Sequence, residues 1–307
     1  MIRAIDWVVA NRRKLRIRVL NLSFSAEARS HYWDDPISQA VMVAWQKEIF
    51  VVAAAGNRGP DAMTIGVPGN VPYVMTVGAM TDSFTPADPS DDKLATFSSA
   101  GPTYEGFVKP EIVAPGGHMR GLVQGNSALA DAYPEFYDGQ YFEMSGTSQA
   151  TAVVSGIAAL ALQAEPWRSV DELKCKILSA AKPAVKADGT LAYSVFQQGA
   201  GVADAYAAVM NQTVDCANQG LHIDNDIDGF QHFGGPANQD EYGNYYVMGL
   251  DGYLWTDSGV GTEGYLWTDA YLWTNAYLWT DGVGVDGYLW TDALTEMASM
   301  ASWVDPE

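Results

Sequence analysis

Met144-Ser145-Gly146-Thr147-Ser148-Gln149-Ala150-Thr151-Ala152-Val153-Val154-Ser155-Gly156-Ile157-Ala158-Ala159-Leu160 is a short polar turn running into a segment built from Ala, Val, Gly and Ser. Small residues at nearly every position let a helix pack closely against neighbours on all sides. Ser148 falls at the first turn of that helix. There the unpaired backbone N–H groups and the positive end of the helix dipole favour negative charge. Two readings of Ser148 follow from the residues alone. It is an N-cap, as serine often is, or a nucleophile whose developing charge the helix start would stabilise.

Working outward, two further stretches bear on that choice. Val51-Val52-Ala53-Ala54-Ala55-Gly56-Asn57 is an apolar run closing on Gly-Asn, and Lys109-Pro110-Glu111-Ile112-Val113-Ala114-Pro115-Gly116 is a short apolar segment closed by Pro-Gly. Taken with Gly146-Thr147-Ser148-x-Ala150, and in this order, they resemble the oxyanion-hole motif, the strand before the serine loop and the serine motif of the subtilisin-like serine peptidases, the subtilases. The resemblance covers residues 1–210. It implies a serine endopeptidase domain that cleaves polypeptides through an acyl-enzyme on Ser148. Asn57 would be an oxyanion donor. Ser23, Phe24 and Ser25, with Ala55 and Gly56, would line the substrate strand. The family usually has Gly where Ser25 stands, so the backbone approach there is expected to differ. In the serine motif Gln149, Ala152 and Val153 replace commoner residues, none of them a reacting group. Phe97-Ser98-Ser99-Ala100-Gly101-Pro102 also resembles a subtilase loop, and Val67-Pro68 stands where the family often carries a cis proline.

The periodicity agrees with an α/β fold. Ile2, Ile5, Val8 and Val9 have helical spacing over 2–11, and Arg12-Arg13-Lys14 closes that helix at the negative end of its dipole. Residues 16–23 read as a strand, 36–48 as a helix, and Phe50 to Ala55 as a buried parallel strand. Val71 to Val77 reads as the next strand, 117–141 as a long loop, 170–181 as a helix, and 198–209 as a turn and final helix. Alternating strands and helices predict a parallel, doubly wound sheet with its site at the carboxyl ends of the strands.

A serine nucleophile needs a base, usually histidine, and a carboxylate to orient it. The subtilase Asp and His motifs (Asp-Ser/Thr-Gly and His-Gly-Thr) are absent, and His31, His118, His222 and His232 stand in no matching context. His31 reads as a loop histidine. The chain is therefore expected to be the C-terminal portion of a subtilase domain, poorly stable and without amidase activity by itself.

Composition adds exclusions. A net charge of −20 argues against nucleic acid as a partner. Residues 1–30 hold seven of the 17 basic residues, and none follows Lys186. No apolar run is long enough to span a membrane, and the N-terminus lacks the apolar core of a signal peptide. An extracellular or cell-surface location is expected for the full-length protein. Cys175 and Cys216 lack metal-type spacing. Cys175 reads either as a buried thiol or as a disulfide partner of Cys216.

The expected divisions are 1–211 (partial peptidase domain), 212–250 (acidic linker or small extension) and 251–307 (a β or irregular tail). Asp224-Asn225-Asp226-Ile227-Asp228-Gly229 fits the start of a calcium loop, yet Gly235 stands where its twelfth-position Glu belongs, with Asp240 or Glu241 as substitutes. Asp224, Asp226 and Asp228 are thus candidate calcium ligands, against the plainer reading of an acidic loop; no cofactor is otherwise required. Tyr-Leu-Trp-Thr recurs at Tyr253, Tyr265, Tyr271, Tyr277 and Tyr288. A spacing of six disfavours a helix and suits strands. The repeats would pack together or bind a polysaccharide or cell surface through their aromatic faces. The competing function is a non-catalytic surface-binding or assembly protein that keeps a subtilase remnant.

Overall fold

In the computed structural model the described residues are 1–85, 88–187, 189–248 and, for the backbone alone, 277–279. Four of the five Tyr-Leu-Trp-Thr copies lie outside them.

Four strands form the parallel part of the central sheet. They are β1 (Val19–Leu22), β2 (Phe50–Ala54), β3 (Met75–Thr81) and β5 (Ile112–Pro115), with the short β4 (Lys93–Leu94) antiparallel on the far end of β3. Every residue of β2 is buried, as a strand covered on both faces requires. Helix α1 (Ile2–Leu15) packs on α2 (Pro36–Gln46), and α2 packs on β2. Pro36 at the first helical position and Asp35, whose carboxylate accepts from the Ile37 and Ser38 N–H groups, start α2. The expected strand at 71–77 begins instead at Met75. Pro72 has no N–H to give a ladder, and Val71 bonds back to Pro68. The Val67–Pro68 bond is cis.

The segment 117–141, expected as a loop, is a correction. It holds an antiparallel pair, β6 (Met119–Leu122) and β7 (Tyr141–Met144), around a short helix α3 (Ala128–Ala132). Its strands have only one buried residue, Phe142, so they leave almost no apolar alternation to read. Helix α4 (Thr147–Ala164) then crosses the sheet against β1, β2, β3 and β5. Ala150, Val154, Ala158 and Ala161 are buried on that face, and their small side chains permit the close approach. Helices α5 (Val170–Leu178), α6 (Val195–Gln198) and α7 (Ala205–Met210) complete the body.

The segment after residue 211 is tied down firmly. Cys175 of α5 is disulfide-bonded to Cys216. Helix α8 (Ile223–Ile227) packs on α2, and Phe233 of β8 (His232–Gly234) is 1% exposed within the main core. Strands β9 (Ala237–Gln239) and β10 (Tyr245–Val247) pair with each other, and Val247 clusters with Val108, Val195 and Phe196. The backbone of β11 (Tyr277–Trp279), from one repeat copy, pairs antiparallel with β8.

Under the sheet lies an ionic cluster. Lys109 Nζ is 2.5 Å from Glu111 Oε1 and Lys174 Nζ is 2.6 Å from the same oxygen, all three side chains buried. Burial pulls the Lys109 ammonium down to about 7; the Glu111 carboxylate opposes the shift and the Lys174 charge adds to it.

Two outcomes are expected. Reducing the disulfide, which closes a 41-residue separation, removes about 4 kcal/mol. Cys175→Ser/Cys216→Ser should therefore lower Tm by about 10 °C, read by calorimetry. For Lys109 the folded value lies below the unfolded one. The unfolded chain then binds more protons between pH 7 and 10, and stability rises with pH across that window. Denaturant titrations at pH 7, 8 and 9 should show the wild type gaining on Lys109→Met by ~1 kcal/mol per pH unit; parallel curves would contradict the assignment.

Candidate active site

β2 ends at Ala54, and the chain turns through Ala55 and Gly56 to Asn57. Gly56 has φ 113°, and a side chain there would collide with the hydroxyls of Ser25 and Ser99. The loop 97–102 braces this turn. Ser99 N–H donates to Gly56 O at 2.9 Å, Gly59 N–H to Phe97 O at 2.9 Å, and Arg58 N–H to Ser99 Oγ at 3.1 Å.

Asn57 reaches the start of α4. Its Oδ1 accepts from Thr147 N at 3.0 Å and from Thr147 Oγ1 at 2.9 Å. Gly146, the residue before the helix, has no side chain to cap it. The cap is thus supplied by a residue 90 positions away. Thr147 Oγ1 in turn accepts from Gly56 N–H at 3.2 Å. This leaves the amide nitrogen of Asn57 near the serine loop. A Cβ on Gly146 would lie 2.9 Å from Gln149 Oε1, 3.2 Å from Asn57 Nδ2 and 3.7 Å from Ser148 N. Both nitrogens thus border the notch beside this glycine, and the Gln149 side-chain oxygen lies across it.

Ser148 is half-buried in the first turn of α4. Its hydroxyl donates to Ser23 O at 3.0 Å, and Ser23 Oγ donates to Ser148 O at 2.7 Å. Asn21 Nδ2 donates to Ser23 Oγ at 2.8 Å. The carboxyl end of β1 is therefore stitched to the helix start. Ser25 is exposed, and its hydroxyl occupies the space beside Gly56 and Gly66. Ser23, Ser25, Gly56, Asn57 and Ser148 thus come together at the carboxyl ends of β1 and β2. Phe24 is half-buried and packs on the core, and Ala55 is fully buried.

The histidines lie elsewhere. His31 Nδ1 is 3.3 Å from Glu105 Oε1, His118 Nδ1 is 3.4 Å from Glu143 Oε1, and His232 Nδ1 is 2.7 Å from Asp226 Oδ1. Among the described residues no histidine hydrogen-bonds to Ser148. His31 stacks on Trp33 at 4.2 Å, and Trp33 on His232 at 4.6 Å.

The three candidate calcium ligands are not gathered into one site. They lie on or just after the short helix α8, with Asp224 and Asp228 exposed and Asp226 buried. Asp224 accepts from Gln46 Nε2 at 2.6 Å. Asp226 accepts from the hydroxyls of Tyr32 at 2.7 Å and Tyr73 at 2.9 Å. Burial, then the Asp226 charge, pushes both phenols far above their ordinary value, so they stay protonated donors. No cluster of three or more His, Cys, Asp or Glu suited to a metal exists among the described residues. Ile223 and Ile227 stand one helical turn apart within this run. Thr147 as the relay between Gly56 and Asn57 went unread, because only the fold brings it there.

Residues 1–201 match the subtilase family. The serine protease AprX of Bacillus subtilis (strain 168) is 45% identical over 161 residues, covering 52% of this chain and 36% of AprX. Subtilisin DY of Bacillus licheniformis is 30% identical over 183 residues, covering 59% of this chain and 54% of its own length. The chain thus spans roughly a third to a half of these relatives. Among solved structures, Sphericase superposes with TM-score 0.52 at 27% identity, covering 66% of this chain and 62% of the other. The prenylagaramide maturation protease PagA does so with 0.52 at 26%, covering 69% and 66%.

Asn57 carries a structural duty that can be separated from a donor role. Asn57→Ala should lose ~1 kcal/mol through the lost cap. Asn57→Asp keeps the acceptor and adds favourable charge at a helix start, so it should hold wild-type stability in urea titration. Equal destabilisation by both would contradict the capping geometry.

Proposed function

The chain belongs to the subtilase family, and from that premise we propose that it is the serine-bearing part of a serine endopeptidase unit, incomplete until an Asp and His segment joins it. The observation that supports this reading is the notch beside Gly146, bordered by Asn57 Nδ2 and Ser148 N, with the Gln149 side-chain oxygen where a substrate oxygen would displace it and the Ser148 hydroxyl at the first turn of α4. Ser148 Oγ would attack a peptide carbonyl. The oxyanion formed would be met by two fixed N–H donors at a helix start, where they need no reorganisation. Ser23 O, now accepting from Ser148 Oγ, is free to accept a substrate N–H once a histidine takes the serine proton. Ser23 to Ser25 and Ala55 to Gly56 would flank the extended peptide.

The Asp and His groups have to arrive at the outer edge of β1. That edge has no strand partner among the described residues. Beside it, α4 leaves Ala152, Gly156, Ala159 and Leu160 exposed. An unpaired edge next to a small-residue helix face is the surface a further strand would cover. An extracellular setting is supported by the Cys175–Cys216 disulfide, which suits an oxidising compartment. No helix among the described residues is long and apolar enough to cross a membrane.

The chain as it stands should give no peptide hydrolysis above that of Ser148→Ala in a fluorogenic-peptide assay. Joined to a subtilase segment that carries the Asp-Ser/Thr-Gly and His-Gly-Thr motifs, it should hydrolyse peptide in a Ser148-dependent way, and Asn57→Asp should then lower kcat by about 10²–10³. A folded chimera without Ser148-dependent turnover would contradict the reading. So would Ser148-dependent turnover by the chain alone.

A further inference from the structure

Ser25 fills a slot that two glycines leave. The slot runs between the ends of β1 and β2, and residues 66–67 close its far side. Gly66 N–H donates to Ala55 O at 3.0 Å, Ala26 N–H to Val67 O at 3.0 Å and Val67 N–H to Ala26 O at 2.8 Å. Gly56 and Gly66 put no side chain into the slot. Ser25 does. Its hydroxyl stands 3.0 Å from where a Cβ on Gly56 would be, and a Cβ on Gly66 would collide with it. Ser25 is exposed, so the slot opens to solvent with this hydroxyl inside it.

Next to the serine turn the surface is aromatic. The Ser145 hydroxyl accepts from His118 N–H at 2.9 Å, and Gly116 O accepts from Gly146 N–H at 2.8 Å. Phe84 packs on the His118 ring with centroids 3.8 Å apart, and it is 62% exposed. An open phenyl face is thus held beside the turn that leads to Ser148.

The repeats carry a matching order of residues. Every Tyr-Leu-Trp-Thr copy follows a residue with no more than a methyl for a side chain: Gly252, Gly264, Ala270, Ala276 and Gly287. A small residue followed by Tyr, Leu and Trp is the invariant part of the tail.

We propose that the assembled peptidase cleaves its own tail after these five small residues, and that Ser25 selects them. This rests on the peptidase reading above. Ser23 O and Ser148 Oγ are 3.0 Å apart, so the substrate N–H that meets Ser23 O belongs to the residue whose carbonyl Ser148 attacks. The side chain of that residue enters the slot beside Ser25, where a hydrogen or a methyl fits and a larger group meets the hydroxyl. The aromatic residues that follow run toward Phe84. Ser148 Oγ forms an ester with the Gly or Ala carbonyl. The tyrosine amine leaves with the proton that the arriving histidine took from Ser148, and water then splits the ester. A chain extends ~3.3 Å per residue, far enough for the distal copies to reach the site of their own molecule. The products are short peptides beginning Tyr-Leu-Trp-Thr and a peptidase body freed of its acidic tail.

The test uses the full chain joined to a subtilase segment that carries the Asp-Ser/Thr-Gly and His-Gly-Thr motifs, beside its Ser148→Ala counterpart. Mass spectrometry of the active chimera should find fragments ending at Gly252, Gly264, Ala270, Ala276 and Gly287. The Ser148→Ala chimera should keep its tail, and Ala276→Val should spare the bond to Tyr277 alone. Two fluorogenic peptides that differ only in the acyl residue, Ala against Leu, give the second reading. The chimera should prefer Ala by about tenfold or more in kcat/KM, and Ser25→Gly should cut that ratio by a similar factor. An intact tail on a chimera that turns over the Ala peptide would overturn self-cleavage and leave the peptidase reading standing. Cleavage of the tail at other residues, or an Ala-to-Leu ratio that Ser25→Gly does not move, would overturn selection by Ser25. A folded chimera with no Ser148-dependent turnover of any peptide would defeat the peptidase reading and this proposal with it.

Discussion

Two hydrogen bonds into one side-chain oxygen join the two halves of the site. Asn57 Oδ1 takes the Thr147 N–H and the Thr147 hydroxyl. Asn57 stands just beyond a fully buried strand, and Thr147 begins the longest helix among the described residues. Neither could shift without breaking the other's partner. Because Gly146 offers no cap of its own, the helix start depends on this remote oxygen. The same geometry turns the Asn57 amide nitrogen toward the serine loop. The oxygen of the amide thus serves the fold, and the nitrogen is left for the oxyanion role proposed above.

The body on which this rests is held by groups that sequence position does not suggest. Lys109, Glu111 and Lys174 meet under the sheet. Tyr32, Tyr73 and His232 meet on Asp226. Both clusters are buried, so each polar group needs its partners to offset desolvation. Both also fasten the segment after residue 211 to the sheet, one through Asn218 and one through Asp226. That segment contributes Phe233 to the main core. Losing it would expose apolar surface and unpair buried charges together.

The parallel sheet was legible chiefly through its central strand β2, a continuous apolar run. Phe50 to Ala55 could be read directly, and its closing Gly-Asn marked the site. The small-residue helix was legible for the same reason. The β6–β7 pair was not, since Met119, Arg120, Gly121 and Leu122 show no alternation and the strands bury almost nothing. The acidic run at 224–229 is ambiguous in another way. Carboxylate spacing cannot distinguish a loop converging on an ion from a helix turning its aspartates apart, and burial of Asp226 is a property of the fold. Ser23 and Ser25 were legible through family resemblance; their contacts with Ser148, Gly56 and Gly66 required the packed chain.

Ser148 and Asn57 are proposed to belong to a peptidase unit whose base comes from a preceding segment. The most direct measurement is the sequence of the native transcript upstream of Met1, read in frame. The expected result is an uninterrupted reading frame that encodes an Asp-Ser/Thr-Gly motif followed by His-Gly-Thr. A stop codon directly upstream, with no such motifs in the same frame, would contradict it.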